Sequence, residues 1–365
     1  DGSFNITGSG QDDVITVGAG SDTVTAGAGD DTLNFTSGAR LGGDLSIDGG
    51  DGTDIIQFTG NSVTDVDDAD FANVSNIETV TFSDGDNTAS FGSNAATASG
   101  ADALNINSGS GNDTIDVSAL GKSAIITSGS GDDQVTGGAG GDTFVLGTNL
   151  TSADTIDGGA GTDELRFTDS GLATSDLDGV TNVETVTLGD AATSVTTVDN
   201  LVGNGETLTV TAAALTGANS LTWDGSAETD GSFNITGSTQ ADTITGGAGG
   251  DTFVLGTNLT SADTIDGGSG TDELRFTDSG LATSDLDGVT NVETVTLGNA
   301  ATSVTTVDNL VGNGETLTVT AAALTGPNAL TWDGSAETDG SFNITGSDQA
   351  DTITGGSGEI GRAHV

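Results

Sequence analysis

The chain has 365 residues, of which 60 are glycine; 55 acidic residues face five Lys plus Arg, for a formal net charge of −50, and there is one proline and no cysteine, methionine or tyrosine. Such a charge repels nucleic acid and anionic membrane surfaces, no apolar run approaches the roughly 20 residues that span a bilayer, and a disulfide framework is excluded. Low hydrophobicity with high net charge ordinarily marks disorder. Against that, short alternating β-branched runs such as VETVTL and ETLTVTAAAL, separated by Gly/Asp/Asn/Ser clusters, predict strands. Those strands can stack only if something neutralises the acid, and a divalent cation would both cancel carboxylate charge and fix the turn that carries it.

Read from the start, the chain repeats every nine residues. GSGQDDVIT, VGAGSDTVT and AGAGDDTLN run from Gly8, setting Asp13, Asp22 and Asp31 in one column and Ile15, Val24 and Leu33 in another. GGDGTDIIQ follows, with Gly49, Gly50, Gly52 and Asp54, and further turn aspartates stand at Asp113 and Asp133. GGAGGDTFV then brings Gly137, Gly138, Gly140 and Asp142. The spacer GTNLTSADTID carries Asp154 as a degenerate turn, and GGAGTDELR brings Gly158, Gly159, Gly161 and Asp163.

From about Asp169 to Asp230 the nonapeptide disappears while alternating strands continue, which predicts wider rungs of one solenoid. The pattern then returns almost verbatim. GGDTFVLGTNLTSADTIDGG begins at Gly140 and again at Gly249, a shift of 249 − 140 = 109 that carries Trp223 onto Trp332. The second copy supplies Asp242, Gly246, Gly247, Gly249, Asp251, Asp263, Gly267, Gly268, Gly270 and Asp272, and Asp351 opens a further copy. The expected units are 1–120 (diverged), 121–229, 230–338 and a truncated 339–358. Glu359 to Val365 breaks the repeat, matches a translated sequencing adapter and is expected to be artefactual; the chain as a whole reads as a fragment of a larger protein.

The consensus is GGxGxDxUx, with U a large apolar residue. Glycines allow the close backbone approach and unusual φ of a tight turn, so that carbonyl oxygens can point inward. The aspartate adds a charged oxygen. In the short strand only U faces inward, so stacked strands form a thin apolar core that no single repeat can bury alone. Trp223 and Trp332 read better as rung-filling core than as platforms for sugars.

These residues resemble the RTX (repeats-in-toxin) calcium-binding family. The resemblance implies an all-β fold, a right-handed parallel β-roll or β-helix solenoid in which two nonapeptides make one coil. It implies calcium as the cofactor, held between turns stacked on the same side. Carried onto this chain, the implied pairs are Asp13 with Asp31, Asp133 with Asp154, Asp142 with Asp163, Asp242 with Asp263 and Asp251 with Asp272. The NVETVTL blocks are similar, more loosely, to those of large RTX surface-layer proteins and adhesins.

Catalysis is not expected, since Cys and Tyr are absent, Lys122 is the only lysine, and the paired carboxylates already have a use. Two functional classes stay open. One is a structural or adhesive module of a secreted bacterial surface protein, folding on calcium after export through type I secretion machinery, with neighbouring copies or cell-surface glycans as partners. The other is the calcium-dependent repeat region of a secreted enzyme or toxin. Neither involves nucleic acid or membrane insertion.

Overall fold

Strands that contribute one or two inward side chains apiece gain nothing alone, and the chain solves this by coiling so that every strand lies beside its equivalent one coil later. The computed structural model describes residues 2–168, 172, 173, 175–277, 284–357 and, for the backbone alone, 360–364. It divides into two units, 1–167 with 179–185, and 168–178 with 186–365.

The first unit is a parallel β-solenoid. One sheet is formed by Val14–Thr16, Thr32–Phe35, Ile55–Phe58, Thr79–Phe82, Leu104–Asn107, Ala124–Thr127, Thr143–Gly147 and Glu164–Phe167, each paired in parallel with the next. Intervening strands build the opposite wall in two stretches, Asn5–Thr7 to Val74–Ser75 and Thr88–Ser90 to Val180–Thr181. Register aligns the inward residue of each coil: Ile15, Leu33, Ile56, Val80, Ile106, Ile126, Phe144 and Leu165 form one continuous apolar column. All are buried, whereas the residues flanking Ile15 in its strand, Val14 and Thr16, are exposed. Alternation over three residues thus leaves one inward side chain per short strand, as the nonapeptide demands.

The second unit repeats the arrangement. Thr207–Thr211, Ser232–Thr236, Thr252–Gly256, Glu273–Phe276, Thr294–Leu297, Thr316–Thr320 and Ser341–Thr345 pair in parallel, aligning Val210, Ile235, Phe253, Leu274, Val295, Val319 and Ile344. Its wide coils are real rungs of the same sheets: Thr193 pairs with Leu221, 221 − 193 = 28 residues on. Extra length there is spent on turns outside the strands, so the core keeps its spacing. Trp223 and Trp332 are fully buried, each edge-on to a phenylalanine, Phe233 and Phe342, with centroids 5.6 Å apart. They fill rungs and present no face to a sugar. Of the segment expected to be artefactual, Glu359 and Val365 lie outside the described residues, and the backbone of Ile360–His364 pairs with Ser341–Thr345.

A column in which each side chain packs on the coils above and below should be intolerant of truncation. Leu165→Ala is expected to destabilise the calcium-saturated protein by about 2–5 kcal/mol, read from the midpoint of chemical denaturation. Replacement of exposed Val14 by Ala should leave that midpoint nearly unchanged.

Candidate metal centres in the turns

The turns between strands are glycine-rich because adjacent coils touch there through backbone. A Cβ on Gly50 would run into the Gly27 carbonyl oxygen, and one on Gly49 into that of Asn76. The equivalent positions Gly52, Gly137, Gly158, Gly159, Gly161, Gly246, Gly249, Gly267, Gly268 and Gly270 likewise face backbone carbonyl groups of a neighbouring coil, and Gly140 faces the Lys122–Ser123 peptide. A Cβ on Gly138 or Gly247 would likewise press on the carbonyl oxygen of Val117 or Glu228, at 2.8 and 2.9 Å. Carbonyl oxygens are thereby concentrated between stacked turns.

The aspartates of these turns form ladders along each unit. The Asp13 N–H donates to Asp31 Oδ1 at 2.7 Å, the Asp31 N–H to Asp54 Oδ1 at 2.8 Å, and the Asp54 N–H to Glu78 Oε2 at 2.8 Å. Across the coil the Phe4 N–H donates to Asp22 and the Asp22 N–H to Asp44. Farther along, one ladder runs from Asn87 through Asp113 and Asp133 to Asp154, and another from Ala124 through Asp142 and Asp163 to Glu184. In the second unit Leu221, Asp242 and Asp263 form one ladder, and Phe233, Asp251, Asp272 and Glu293 another. Asp351 accepts from the Leu330 N–H. Each pair implied by the resemblance is therefore adjacent, and in each the later carboxylate spends one oxygen on the amide of the earlier aspartate.

The second oxygen exists in two states. In one set of turns it accepts the N–H of the residue four positions earlier: Ser9 to Asp13, Gly138 to Asp142, Ser238 to Asp242, Gly247 to Asp251 and Ser347 to Asp351, at 2.5 to 2.7 Å. Asp154 and Asp263 have the same oxygen engaged by Thr151 and Thr260. In a second set, Asp31, Asp54, Asp113, Asp163 and Asp272, the residue four positions earlier is a glycine at positive φ, which turns its amide away. Gly159 at 92° precedes Asp163, and Gly268 at 91° precedes Asp272. A side-chain-bearing residue would be strained there. Asp163 Oδ2 and Asp272 Oδ2 are left buried without any hydrogen-bond partner, as are those of Asp22, Asp31, Asp44, Asp54 and Asp113.

An unpartnered oxygen on a buried carboxylate is costly, and burial itself raises several of the turn carboxylates. Burial pushes Asp272 up to about 7 despite the Asp251 amide, with the charges of Asp251 and Glu293 adding to the rise. Burial likewise raises Asp54, Asp133 and Asp163 to about 6, and raises Asp44, Asp113, Asp142, Asp251 and Asp263. Protein cations are scarce nearby: Arg166 and Arg275 are spent on Glu164 and Glu273 at 2.7 Å. All-oxygen donors, anionic carboxylates and inward carbonyls make a fit for a hard divalent cation such as calcium.

Sequence reasoning missed the members that end the ladders. Glu78, Glu184 and Glu293 lie in the segments NIETV and NVETV, which read only as strand openings. There Asn76, Asn182 and Asn291 adopt left-handed φ of 54°, 53° and 52°, standing where the nonapeptide has glycine, and the glutamate stands for aspartate. Asparagine is one of the few residues besides glycine that enters this region readily, so Asn-x-Glu-Thr after a nonapeptide was the available signal. Asp44 follows the short helix Gly38–Leu41 inserted into its turn and carries no local pattern.

A family profile for the RTX calcium-binding nonapeptide repeat, in its four-copy form, matches residues 6–40, 125–148, 150–167, 234–257, 260–276 and 343–359. Nothing matches among curated proteins, nor among solved structures.

The raised carboxylates fix the sign of a pH effect. A folded-state pKa above the ordinary carboxylate value means that the folded form holds protons the unfolded chain has released, so stability of the calcium-free fold falls as pH rises from about 4 through about 7. In chelator, far-UV circular dichroism should show more β structure at about pH 5.5 than at about pH 8. Calcium binding near pH 6 should release protons, measurable as a buffer-dependent heat.

Proposed function

We propose that this chain, which belongs to the RTX calcium-binding repeat family, is a calcium-gated structural or adhesive segment of a secreted bacterial surface protein. The observation that carries this reading is the set of buried turn carboxylates, each with one oxygen tied along the ladder and, at Asp22, Asp31, Asp44, Asp54, Asp113, Asp163 and Asp272, the other left without a partner. We assign these oxygens, together with the carbonyls of the glycine turns, to calcium. Asp13, Asp133, Asp142, Asp154, Asp242, Asp251, Asp263 and Asp351 complete the stacks from the facing turns.

The mechanism follows from charge. With calcium scarce, as in a cytosol, the stacked carboxylates repel one another and the thin core cannot outweigh the repulsion plus the entropy of ordering. The chain stays unfolded and can pass through type I secretion machinery. Outside, calcium in the range bound by extracellular modules, Kd roughly 10⁻⁴–10⁻³ M, replaces the missing partner of each buried oxygen and stacks the coils. Folding outside makes export directional. The 109-residue duplication favours an extended surface element, whose length grows by whole coils, over the repeat tail of a secreted enzyme or toxin. No catalysis is assigned to the chain: the carboxylates of its nonapeptide turns are committed to the ladders.

Far-UV circular dichroism of the full chain during calcium titration tests this, with magnesium and high-salt controls. A cooperative, calcium-specific rise in β structure is expected. Asp163→Ala with Asp272→Ala should move its midpoint at least about tenfold upward, equivalent to about 1.4 kcal/mol. Full β structure in chelator at neutral pH would refute calcium gating.

A further inference from the structure

The wide coils carry a second kind of acidic centre that the nonapeptide does not describe. Asp199 opens the short 3-10 turn Asp199–Leu201, and Glu228 and Asp230 lie one coil later, in the turn between Leu221–Asp224 and Ser232–Thr236. One carboxylate oxygen from each of the three lies within 4.8 Å of the others, and the copy 109 residues on brings Asp308, Glu337 and Asp339 together in the same way.

Most of these oxygens are already positioned. Asp199 Oδ1 accepts the Thr229 N–H and hydroxyl at 3.0 and 2.6 Å, and Asp230 Oδ2 accepts Asn204 Nδ2 at 2.7 Å. Glu228 Oε1 accepts the N–H groups of Gly231 and Asp230 at 2.8 and 3.1 Å. Glu228 is 1% exposed and Glu337 fully buried, yet Oε2 of each has no hydrogen-bond partner. Each cluster thus sets a buried carboxylate with one unpartnered oxygen beside two further carboxylates, an arrangement that a bound cation would neutralise. No Lys, Arg or His occurs in the sequence between Arg166 and Arg275, nor between Arg275 and Arg362. Arg166 and Arg275 are themselves paired with Glu164 and Glu273, and a cation from solution would supply the missing charge. The turn holding Glu228 also stacks on the nonapeptide turn of Asp251, through the Ala248 N–H to the Glu228 carbonyl at 2.9 Å.

We infer that Asp199, Glu228 and Asp230, and equally Asp308, Glu337 and Asp339, each bind a calcium ion, extending the line of bound cations past the last nonapeptide into the wide coil. Three carboxylates with no nitrogen or sulfur donor select a hard cation over zinc, and a site assembled from two turns suits the variable geometry of calcium better than the rigid octahedron of magnesium. The inference rests on the reading of the chain as a calcium-binding module. Its particular consequence is that the wide coils are fastened by calcium as the narrow ones are.

The test is calcium stoichiometry of the full chain by equilibrium dialysis and calorimetry, with magnesium as the competing ion. Glu228→Gln with Glu337→Gln keeps the Oε1 acceptor for the turn amides and removes the charge. It should bind two fewer calcium ions per chain, one for each cluster, while the calcium-driven rise in β structure persists. If that variant fails to regain β structure in excess calcium, Asp199→Asn with Asp308→Asn decides, because these exposed residues leave the buried glutamates in place; the same two ions should then bind at least about tenfold more weakly. Unchanged stoichiometry and affinity in these variants would overturn this inference alone. A wild-type chain that binds no calcium would overturn the proposed function as well.

Discussion

Carboxylates stacked at a spacing of one coil govern this protein. Parallel coiling places every turn directly on the equivalent turn of the next coil, so an aspartate that recurs at the same turn position becomes a column of negative charge. Ladder hydrogen bonds from backbone N–H groups offset part of that charge, because a charged acceptor strengthens the bond. They use one oxygen per carboxylate, and burial with the neighbouring charges of Asp251 and Glu293 raises Asp272 to about 7. The apolar columns cannot dominate this balance, since each short strand buries only one or two side chains.

Turn geometry decides how each carboxylate meets that problem. Where Gly138 or Gly247 keeps an ordinary φ, its amide satisfies the second oxygen of Asp142 or Asp251. Where Gly159 or Gly268 turns to positive φ, the oxygen of Asp163 or Asp272 stays open. In the duplicated copies an open turn stacks on a closed one, Asp163 against Asp142 and Asp272 against Asp251, whereas near the start of the chain open turns stack on open ones, Asp31 on Asp54 and Asp22 on Asp44. Glu184 and Glu293 close the ladders of Asp163 and Asp272 without requiring another nonapeptide, while the companion ladders end at Asp154 and Asp263. Duplication by 109 residues copied this whole device, including the acidic clusters of the wide coils.

Columns at a nine-residue period are explicit in the chain, so the inward positions Ile15 and Leu33 and the adjacency of Asp142 and Asp163 follow from periodicity and the resemblance together. The burial of Trp223 was favoured on composition alone. Glu78, Asp44 and Glu228 were not legible in the same way. Glu78 occupies a turn whose glycine is replaced by Asn76, Asp44 follows an inserted helix, and Glu228 meets Asp199 only because a coil of about 28 residues returns to the same side.

The sequence by itself determined the repeat unit, the strand–turn alternation, the identity of the inward residue and the excess of negative charge, because each is a local property that recurs at a constant spacing. Tertiary structure alone decided which carboxylate oxygens end up buried without a donor and which distant acids converge, since both depend on how far each coil travels before it returns. A nine-residue pattern specifies what a turn contains; the length of the coil between two turns specifies what that turn faces.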